Sequence, residues 1–140
     1  MNAHAIVFEQ PRQLALQALA LPGIGPDQIE IEVEYSGIST GTERLLWDGS
    51  MPAFPGMGYP LVPGYETVGR VRRAGSQTTY KENQRVFVPG AQCFEGVRSL
   101  FGGAASRLVV PEARTVAVGE DLKDQAVLLA LAATAYHAVA

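Results

Sequence analysis

Two segments of the chain concentrate side chains that can exchange protons or form hydrogen bonds. Ser39 and Thr40 lie in the segment SGISTGTERLLWDG, and Tyr65 and Glu66 lie in the segment PLVPGYETVGRV. Hydroxyl, phenol and carboxyl groups of this kind can accept, hold or pass a proton during a reaction. A hydrogen bond to a nearby backbone group explains the two hydroxyls equally well. The two segments therefore raise proton transfer as a hypothesis.

A few single side chains elsewhere have distinctive chemistry. His137 has the right chemistry for a base at physiological pH, although a histidine on a helix surface is the commoner explanation. His4 is expected to have no functional role. Arg44 is a permanent cation that could hold a carboxylate or a phosphate. Cys93 is the only cysteine, which excludes an intrachain disulfide and a four-cysteine structural zinc site.

Composition narrows the class of protein. A chain of 140 residues suits one domain with a real core, and a formal charge of −3 provides no basic footprint for nucleic acid. The only basic cluster, at residues 70–73, is expected on a solvated strand face. The first residues lack the pattern of a signal peptide, and the longest apolar run, residues 126–135, is too short to span a bilayer. We therefore expect a cytoplasmic protein without a transmembrane segment.

Short strands joined by turns are predicted for the first hundred or so residues. Gly and Pro number 15 and 9, which exceeds the average share and favours turns. Residues 5–8 and 14–19 predict a hairpin, and residues 28–35 alternate with a period of two. That alternation predicts one face with Ile29, Ile31, Val33 and Tyr35 and a wet face with Glu30, Glu32 and Glu34. Further strands are predicted at residues 67–74, 84–88, 104–110 and 115–118.

Helices and one long loop complete the prediction. Residues 42–47 favour a single helical turn, and the Ala- and Leu-rich residues 122–140 favour one helix or two short ones. Residues 48–63 hold too many prolines and glycines for regular structure, yet the segment is too apolar for a solvated linker. No glycine-rich dinucleotide fingerprint occurs, because the glycines at 23 and 25 precede a strand rather than follow one.

The two polar segments and the order of elements resemble the catalytic, GroES-like domain of the medium-chain dehydrogenase/reductase superfamily. There the segments usually read Gly-Ile-Cys-x-x-Asp-x-His and Gly-His-Glu-x-x-Gly-x-Val, and this chain keeps Gly37, Gly64, Glu66, Gly69 and Val71. The resemblance implies a mainly β fold, a partly open antiparallel barrel with short helices, over residues 1–118. Residues 119–140 would then be a helical segment leading to a Rossmann nucleotide-binding domain that these 140 residues lack.

The resemblance also implies a site without a metal. Ser39, Tyr65 and Ala130 stand where the family places its three catalytic zinc ligands. Losing three ligands leaves too few donors for a tetrahedral site, although Glu66 could replace one of them. The lobe that carries the structural zinc in the family is missing as well. We therefore expect no zinc.

A closer resemblance covers almost the whole chain and implies a substrate. It is carried by the runs GISTGTERLLWDGSMPAFPGMGYPLVPGYETVGRV, FVPGAQCF, LFGGAASRLVVP and LLALAATAYHA. These runs are similar to dehydrogenases of bacteriochlorophyll synthesis, which oxidise the 3-(1-hydroxyethyl) group of a (bacterio)chlorophyllide to acetyl with NAD. The implied partners are a tetrapyrrole substrate and NAD, bound mainly by the missing domain. Whether the full-length protein forms homo-oligomers is left open.

Residue roles follow from the same resemblance. Thr40, Tyr65, Glu66 and His137 are the catalytic candidates, while Ser39, Thr40 and Thr134 are the candidates for contact with the coenzyme. Candidates for substrate binding are Arg44, Trp47, Phe54, Met57 and Tyr59. For each group a structural alternative stays open: Tyr65 could fill the vacated metal space, Glu66 could pair with an arginine, and the apolar loop could cap the barrel.

Two other functions remain possible for the same sequence. One is a zinc-free reductase of quinones or enoyl thioesters, which uses the same barrel for a different reaction. The other is a non-enzymatic module that binds pigment through the apolar loop.

Overall fold

The computed structural model describes all residues from Met1 to Ala140. Nine strands dominate the chain: β1 Asn2–Gln10, β2 Gln13–Ala20, β3 Gln28–Ser36, β4 Leu61–Val62, β5 Thr67–Ala74, β6 Arg85–Val88, β7 Arg98–Ser99, β8 Arg107–Pro111 and β9 Val116–Ala117. Helix α1 covers Thr42–Asp48 and α2 covers Leu129–Val139, with 3-10 segments at Glu112–Arg114 and Glu120–Leu128. The predicted mainly β architecture is confirmed.

The strands form two sheets around one main core. The first sheet has the order β2-β1-β4-β7 and the second has the order β8-β3-β5-β6-β9. Sixteen buried apolar residues contributed by both sheets make up the core, and burying them removes most of their apolar surface from water. The two-residue strands β4 and β7 escaped prediction, because a strand that short has no periodicity to read.

The predicted hairpin is confirmed and longer than its apolar run. β1 and β2 pair antiparallel from Asn2 opposite Ala20 to Gln10 opposite Gln13. On one face of β1, Ala3, Ala5 and Val7 are buried in the main core. Side chains of a strand alternate between faces, so His4, Ile6 and Phe8 lie on the other face of the hairpin. That second face becomes important at the candidate site.

The predicted alternation of β3 is wrong at two positions. Glu30 was expected on a wet face but is only 1% exposed, whereas Tyr35 was expected on the apolar face and is 49% exposed. The register of β3 against β5 shifts twice, between Glu30 and Ile31 and between Val33 and Tyr35. Each irregularity breaks the strict period of two. Glu30 is compensated by Arg73 at 2.6 Å and lies 3.6 Å from Arg107.

The basic cluster of β5 is paired with the glutamates of β3 rather than free in solvent. Besides Arg73, Arg72 bonds to Glu32 at 2.8 Å and Arg70 bonds to Glu34 at 2.5 Å. The antiparallel register brings these oppositely charged side chains together across the two strands.

Helix α1 and the long loop after it form a second apolar cluster. Phe8, Leu46 and Leu61 are its buried members, and Trp47, Met51, Met57 and Tyr59 pack around them. Residues 49–60 contain no helix or strand, as predicted. The loop is apolar because it covers the outer side of β1 and β4.

The C-terminal residues form two helical pieces. The 3-10 segment is interrupted at Lys123, whose φ is 47°, and α2 then begins at Leu129. Residues 131–140 are all exposed. None of the helices combines the length and the hydropathy that a membrane crossing requires.

Candidate active site

A cavity of about 810 Å³ lies beside the segment that contains Ser39 and Thr40. Its walls come from the outward face of the β1–β2 hairpin, from residues 36–40, from α1, from Pro63 and from residues 104–106. The cavity is mostly apolar, and a few polar side chains reach it from the side of α1. This combination is typical of a site for a small organic molecule.

Ser39 is held by the first turn of α1. Its Oγ accepts a hydrogen bond from the backbone N–H of Thr42 at 3.1 Å. Its own backbone N–H donates to Oε2 of Glu43 at 3.0 Å. The two bonds satisfy backbone groups at the start of the helix, as a capping box does. The local hydrogen bond expected for Ser39 is present, its hydroxyl also interacts with the Glu43 carboxylate, and its functional role stays a prediction. Thr40, the next residue, also lines the cavity and is exposed.

Glu43 is a buried carboxyl in the cavity wall that the sequence did not single out. Its side chain is 5% exposed, and burial raises the pKa of Glu43 above its usual range, although hydrogen bonds from its own backbone and from Ser39 oppose the effect. The nearby charge of Glu66 raises that pKa further. A serine followed by a glutamate near a helix start is a capping signal, and it could have indicated this contact.

Glu66 lies directly behind the cavity wall. It is 4% exposed, and its Oε1 is buried without a hydrogen-bond partner. The backbone N–H of Gly37 donates to the carbonyl of Glu66 at 2.7 Å, and a Cβ at Gly37 would collide with the Glu66 carboxylate. None of the ion pairs within these 140 residues includes Glu66, and whether it pairs with an arginine stays open. Glycine at position 37 is what allows the carboxylate to approach the wall so closely.

Tyr65 does not line the cavity. Its ring packs edge-on against Phe101 with the ring centroids 5.2 Å apart, and it is half-buried. Its catalytic role stays a prediction.

Arg44 and Trp47 both reach the cavity from α1. They lie three residues apart and so on the same side of the helix. Arg44 is exposed and takes part in none of the ion pairs. Trp47 packs edge-on against Phe8 of β1, with the centroids 5.7 Å apart. Both of these substrate-binding candidates are therefore brought to one site.

The three other substrate-binding candidates are outside the cavity lining. Met57 and Tyr59 pack in the second apolar cluster, and the Tyr59 hydroxyl donates to the carbonyl of Leu46. Phe54 is 42% exposed on the loop. Met57 and Tyr59 thus pack against α1, β1 and β4, and the substrate-binding role predicted for them stays a prediction.

Thr134 and His137 lie on α2, away from the cavity lining. Both are exposed, and the Thr134 hydroxyl donates to the carbonyl of Ala130 at 3.0 Å within the same helix. The coenzyme contact of Thr134 and the catalytic role of His137 would need a group that does not lie beside them in these 140 residues, and both roles stay predictions.

The side chains around the cavity do not fit a zinc site. Nowhere do three His, Cys, Asp or Glu side chains come together. Glu43 and Glu66 are the only acidic groups near Ser39, and Ala130 has no donor atom and packs against the cluster of Val68, Phe87 and Ala126. Catalytic zinc takes three protein ligands, mostly nitrogen and sulfur. Cys93 is half-buried among other residues of the main core, where burial raises the pKa of its thiol.

Sequence reasoning missed the hairpin wall of the cavity. His4, Ile6, Leu14, Leu16, Ile38 and Ser106 contribute to the lining. The available signal was the pattern LALQALAL in β2, where apolar residues occupy both faces of a strand. Such a pattern indicates that both faces of the strand are apolar, but it does not show what contacts the outward face.

Comparisons with known proteins agree with this architecture. Residues 25–120 match the family model described as alcohol dehydrogenase GroES-like domain. The chain is 49% identical over 145 residues to the 2-desacetyl-2-hydroxyethyl bacteriochlorophyllide A dehydrogenase of Cereibacter sphaeroides, covering 100% of this chain and 46% of that protein. It is 46% identical to the protein of the same name in Rhodobacter capsulatus, covering 100% of this chain and 45% of that protein. The chain thus spans about half the length of the curated relatives it matches.

Solved structures share the fold at lower identity. The 2R,3R-butanediol dehydrogenase of Bacillus subtilis superposes with a TM-score of 0.73 at 22% identity, over 90% of this chain and 43% of that one. An alcohol dehydrogenase (rspB) of E. coli complexed with NADH gives a TM-score of 0.72 at 22% identity, over 91% of this chain and 42% of that one. The two sheets, the kept glycine frame and these matches confirm the predicted resemblance: the chain belongs to the GroES-like domain family of alcohol dehydrogenases in the medium-chain dehydrogenase/reductase superfamily, as a homologue of bacteriochlorophyllide a dehydrogenase.

Proposed function

We propose that this chain is the catalytic domain of a cytoplasmic, NAD-dependent and zinc-independent oxidoreductase. Its substrate is a (bacterio)chlorophyllide whose 3-(1-hydroxyethyl) group is oxidised to acetyl in bacteriochlorophyll biosynthesis. The observation that carries the proposal is the 810 Å³ apolar cavity beside Ser39 and Thr40, in a chain related along its whole length to dehydrogenases named for that substrate. A cavity of this size suits a large organic ligand better than a simple alcohol.

The side chains around Ser39 supply the proton chemistry of alcohol oxidation. The reaction removes the proton of the O–H group and a hydride from the same carbon, and NAD, when bound, accepts the hydride. Ser39 Oγ accepts a hydrogen bond from Thr42 and its hydroxyl adjoins the Glu43 carboxylate, so a proton from the substrate oxygen can pass through it. Thr40 offers a second hydroxyl at the same wall. Together they can hold the oxygen and pass its proton.

Glu66 is the strongest candidate for the proton acceptor. It is a buried carboxyl with a free acceptor atom at Oε1, behind the wall that Gly37 and Ser39 form. Glu43, on the other side of Ser39, is the second carboxyl of the pair. Tyr65 and His137 remain alternatives, and each would need a change in its surroundings to reach the substrate.

Coenzyme binding requires a second domain. Residues 1–118 form the catalytic barrel in this proposal, and residues 119–140 lead into a nucleotide-binding domain. Ser39 and Thr40 would contact the nicotinamide end of NAD at the cavity, and Thr134 would contact it from α2. The hydroxyls fit such a role because they can donate and accept hydrogen bonds.

The test is turnover of pigment by the protein in its full natural length. We expect hydroxyethyl pigment to be converted to acetyl pigment with NAD, and the new carbonyl, conjugated with the ring, to shift the absorbance of the pigment. Absence of a shift would refute the proposal. NADPH consumption with quinones or enoyl thioesters would favour the reductase, and saturable pigment binding without any redox activity would favour the binding module.

Zinc independence is tested on the same protein. We expect elemental analysis to find far less than one zinc ion per chain and turnover to survive a chelator. Stoichiometric zinc that is needed for turnover would contradict this part of the proposal and leave the choice of substrate intact.

A further inference from the structure

The outward face of the β1–β2 hairpin is apolar and open. The register places Ile6 opposite Leu16 and Phe8 opposite Leu14, so these four side chains form two cross-strand pairs on one face. Leu14 is 53% exposed and Leu16 is 67% exposed. The opposite face of β1 is buried in the main core. Adjacent large apolar side chains left open to water on a sheet usually mark a binding surface.

This hairpin face is one wall of the same cavity that contains Ser39 and Thr40. Ile6, Phe8, Leu14 and Leu16 all line the cavity together with those hydroxyls. A ligand that fills the cavity must therefore contact the hairpin at one side while it reaches Ser39 at the other. The hairpin face and the two hydroxyls therefore belong to one cavity, and the hairpin face is not a separate surface patch.

The shape of the wall favours a flat ligand. The face of a two-stranded antiparallel ribbon is a low surface, and its backbone hydrogen-bonding groups point along the sheet instead of out of it. A peptide adding to the sheet would use the edge of β2, not this face. Phe8 is already buried against Trp47, so an apolar ring system would lie on Ile6, Leu14 and Leu16, and it would leave no polar backbone group unsatisfied.

The charge at the rim favours a ligand with a carboxylate. Arg44 lines the cavity on α1, across from the hairpin, and takes part in none of the ion pairs. His4 lies at the hairpin end of the same lining. Glu43 is the only acidic residue of the lining, and it is buried and held by the backbone N–H of Ser39. Asp48, one turn further along α1, interacts with Arg44 at a longer distance than an ion pair. An arginine outside any ion pair beside an apolar wall suits an amphipathic ring that carries an acid group.

We propose that the macrocycle of the substrate lies flat on Ile6, Leu14 and Leu16, with its hydroxyethyl group toward Ser39 and its propionate toward Arg44. This inference rests on the proposed function and deepens it by assigning the hairpin as the subsite that selects a planar tetrapyrrole. The apolar loop of residues 48–63, predicted from the sequence to have that role, instead packs behind the cavity.

The test uses the only tryptophan of the chain. Trp47 lines the cavity, and a bound chlorin quenches its emission, so chlorophyllide a titrated into the full natural protein gives a dissociation constant. We compare the wild type with the double variant Leu14→Ser, Leu16→Ser. The matched control is Leu122→Ser, which changes a leucine of similar exposure (42%) in the 3-10 segment, outside the cavity.

We expect the double variant to bind chlorophyllide a about tenfold more weakly or worse, since two apolar contacts are lost. The control should bind like the wild type. In turnover assays the KM for the hydroxyethyl pigment should rise while kcat is retained. Because both leucines are exposed, the thermal unfolding temperature should change little, which shows that folding is intact.

Each other outcome has a definite meaning. Unchanged binding and unchanged KM in the double variant overturn the subsite and leave the proposed oxidation standing. Binding that depends on the hairpin in a protein that never oxidises the pigment supports the subsite and refutes the oxidation. A change from dimer to monomer in the double variant, with pigment binding intact, shows that a second copy covers the face and overturns the subsite.

Discussion

Glu43 is a carboxyl whose surroundings in the cavity wall favour its neutral form. Burial is the main cause of its raised pKa, and the charge of Glu66 adds to the effect. A carboxyl with a folded-state pKa above its unfolded-state value binds protons more tightly in the folded protein. Its contribution to stability is fully present below the unfolded pKa and is lost as pH rises through the folded pKa.

We expect Glu43→Gln to raise the melting temperature relative to the wild type more at pH 7 than at pH 4. Glutamine keeps an acceptor for the backbone N–H of Ser39 but carries no charge, so the cap survives while the buried charge is removed. Melting curves at both pH values measure the effect. The exposed Glu95→Gln controls for the loss of one negative charge. An equal shift at both pH values would contradict the argument.

Arg44 is expected to distinguish the free acid of the substrate from its methyl ester. We expect Arg44→Gln to raise the KM for the acid by about fivefold to tenfold, because a charge-assisted hydrogen bond at a partly solvated site is lost. The KM for the methyl ester should stay the same, since that substrate has no carboxylate to hold. Arg44→Lys, which retains the charge, should recover part of the difference. Equal effects on both pigments would place the propionate elsewhere.

At the scale of elements, one ionic network ties the second sheet to the C-terminal segment. Arg85 of β6 donates to Glu34 of β3 at 2.8 Å and to the carbonyls of Gly119 and Lys123. Arg70 of β5 shares Glu34 and bonds to Glu120 with two N–H groups at 2.7 Å. Burial on its own raises the pKa of Glu34, but the hydrogen bonds from Arg85 and Arg70 outweigh it and lower that pKa.

We expect Arg85→Ala to lower the free energy of unfolding by about 2–4 kcal/mol, because the carbonyls of Gly119 and Lys123 lose their donor and Glu34 keeps only Arg70 as a partner. The Arg85 side chain is 3% exposed. Arg72→Ala, which breaks the exposed pair with Glu32, should cost less than about 1 kcal/mol. Urea unfolding of both variants measures the difference. Because the pKa of Glu34 is lowered in the folded protein, its ionised form contributes stability above the unfolded-state pKa, and this contribution is lost as pH falls. The difference in unfolding free energy between the wild type and Arg85→Ala should therefore narrow below about pH 4. Equal costs for the two variants would show that the network is unimportant.

At the scale of the whole molecule, the proposed oxidation needs a coenzyme-binding domain in addition to the barrel. No Rossmann domain lies within the 140 residues, and the matching relatives are about twice as long. We therefore expect the 140-residue chain alone to form less than about 1% as much NADH from pigment as the full natural protein, because positioning both reactants supplies much of the rate. Absorbance of NADH measures the difference. Circular dichroism of the isolated chain controls for folding, and comparable turnover by the folded chain would show that the barrel suffices.

The sequence by itself determined most of the strand pattern and the family. The hairpin was predicted from two apolar runs separated by a proline, and β5 and β6 were predicted from their own apolar runs. These predictions succeed because strand periodicity and turn residues depend on the local sequence. The glycine frame around Glu66 was identified from its resemblance to the family motifs, and the structure adds that a Cβ at Gly37 would collide with the carboxylate. The absence of zinc ligands at Ser39, Tyr65 and Ala130, which the resemblance implies, stays a prediction.

Only the tertiary structure decided which polar residues are buried and what the second face of each strand contacts. Glu30 is buried because irregular pairing and two arginines surround it, and no local pattern contains that information. Glu43 meets Ser39 and the charge of Glu66 only after α1 packs against the barrel. Met51, Met57 and Tyr59 of the apolar loop pack against the second cluster, while Leu14 and Leu16, which looked like ordinary strand residues, line the cavity beside Ser39. Periodicity shows which side chains share a face, but the neighbours of that face come from contacts distant in sequence, and those exist only in the folded chain.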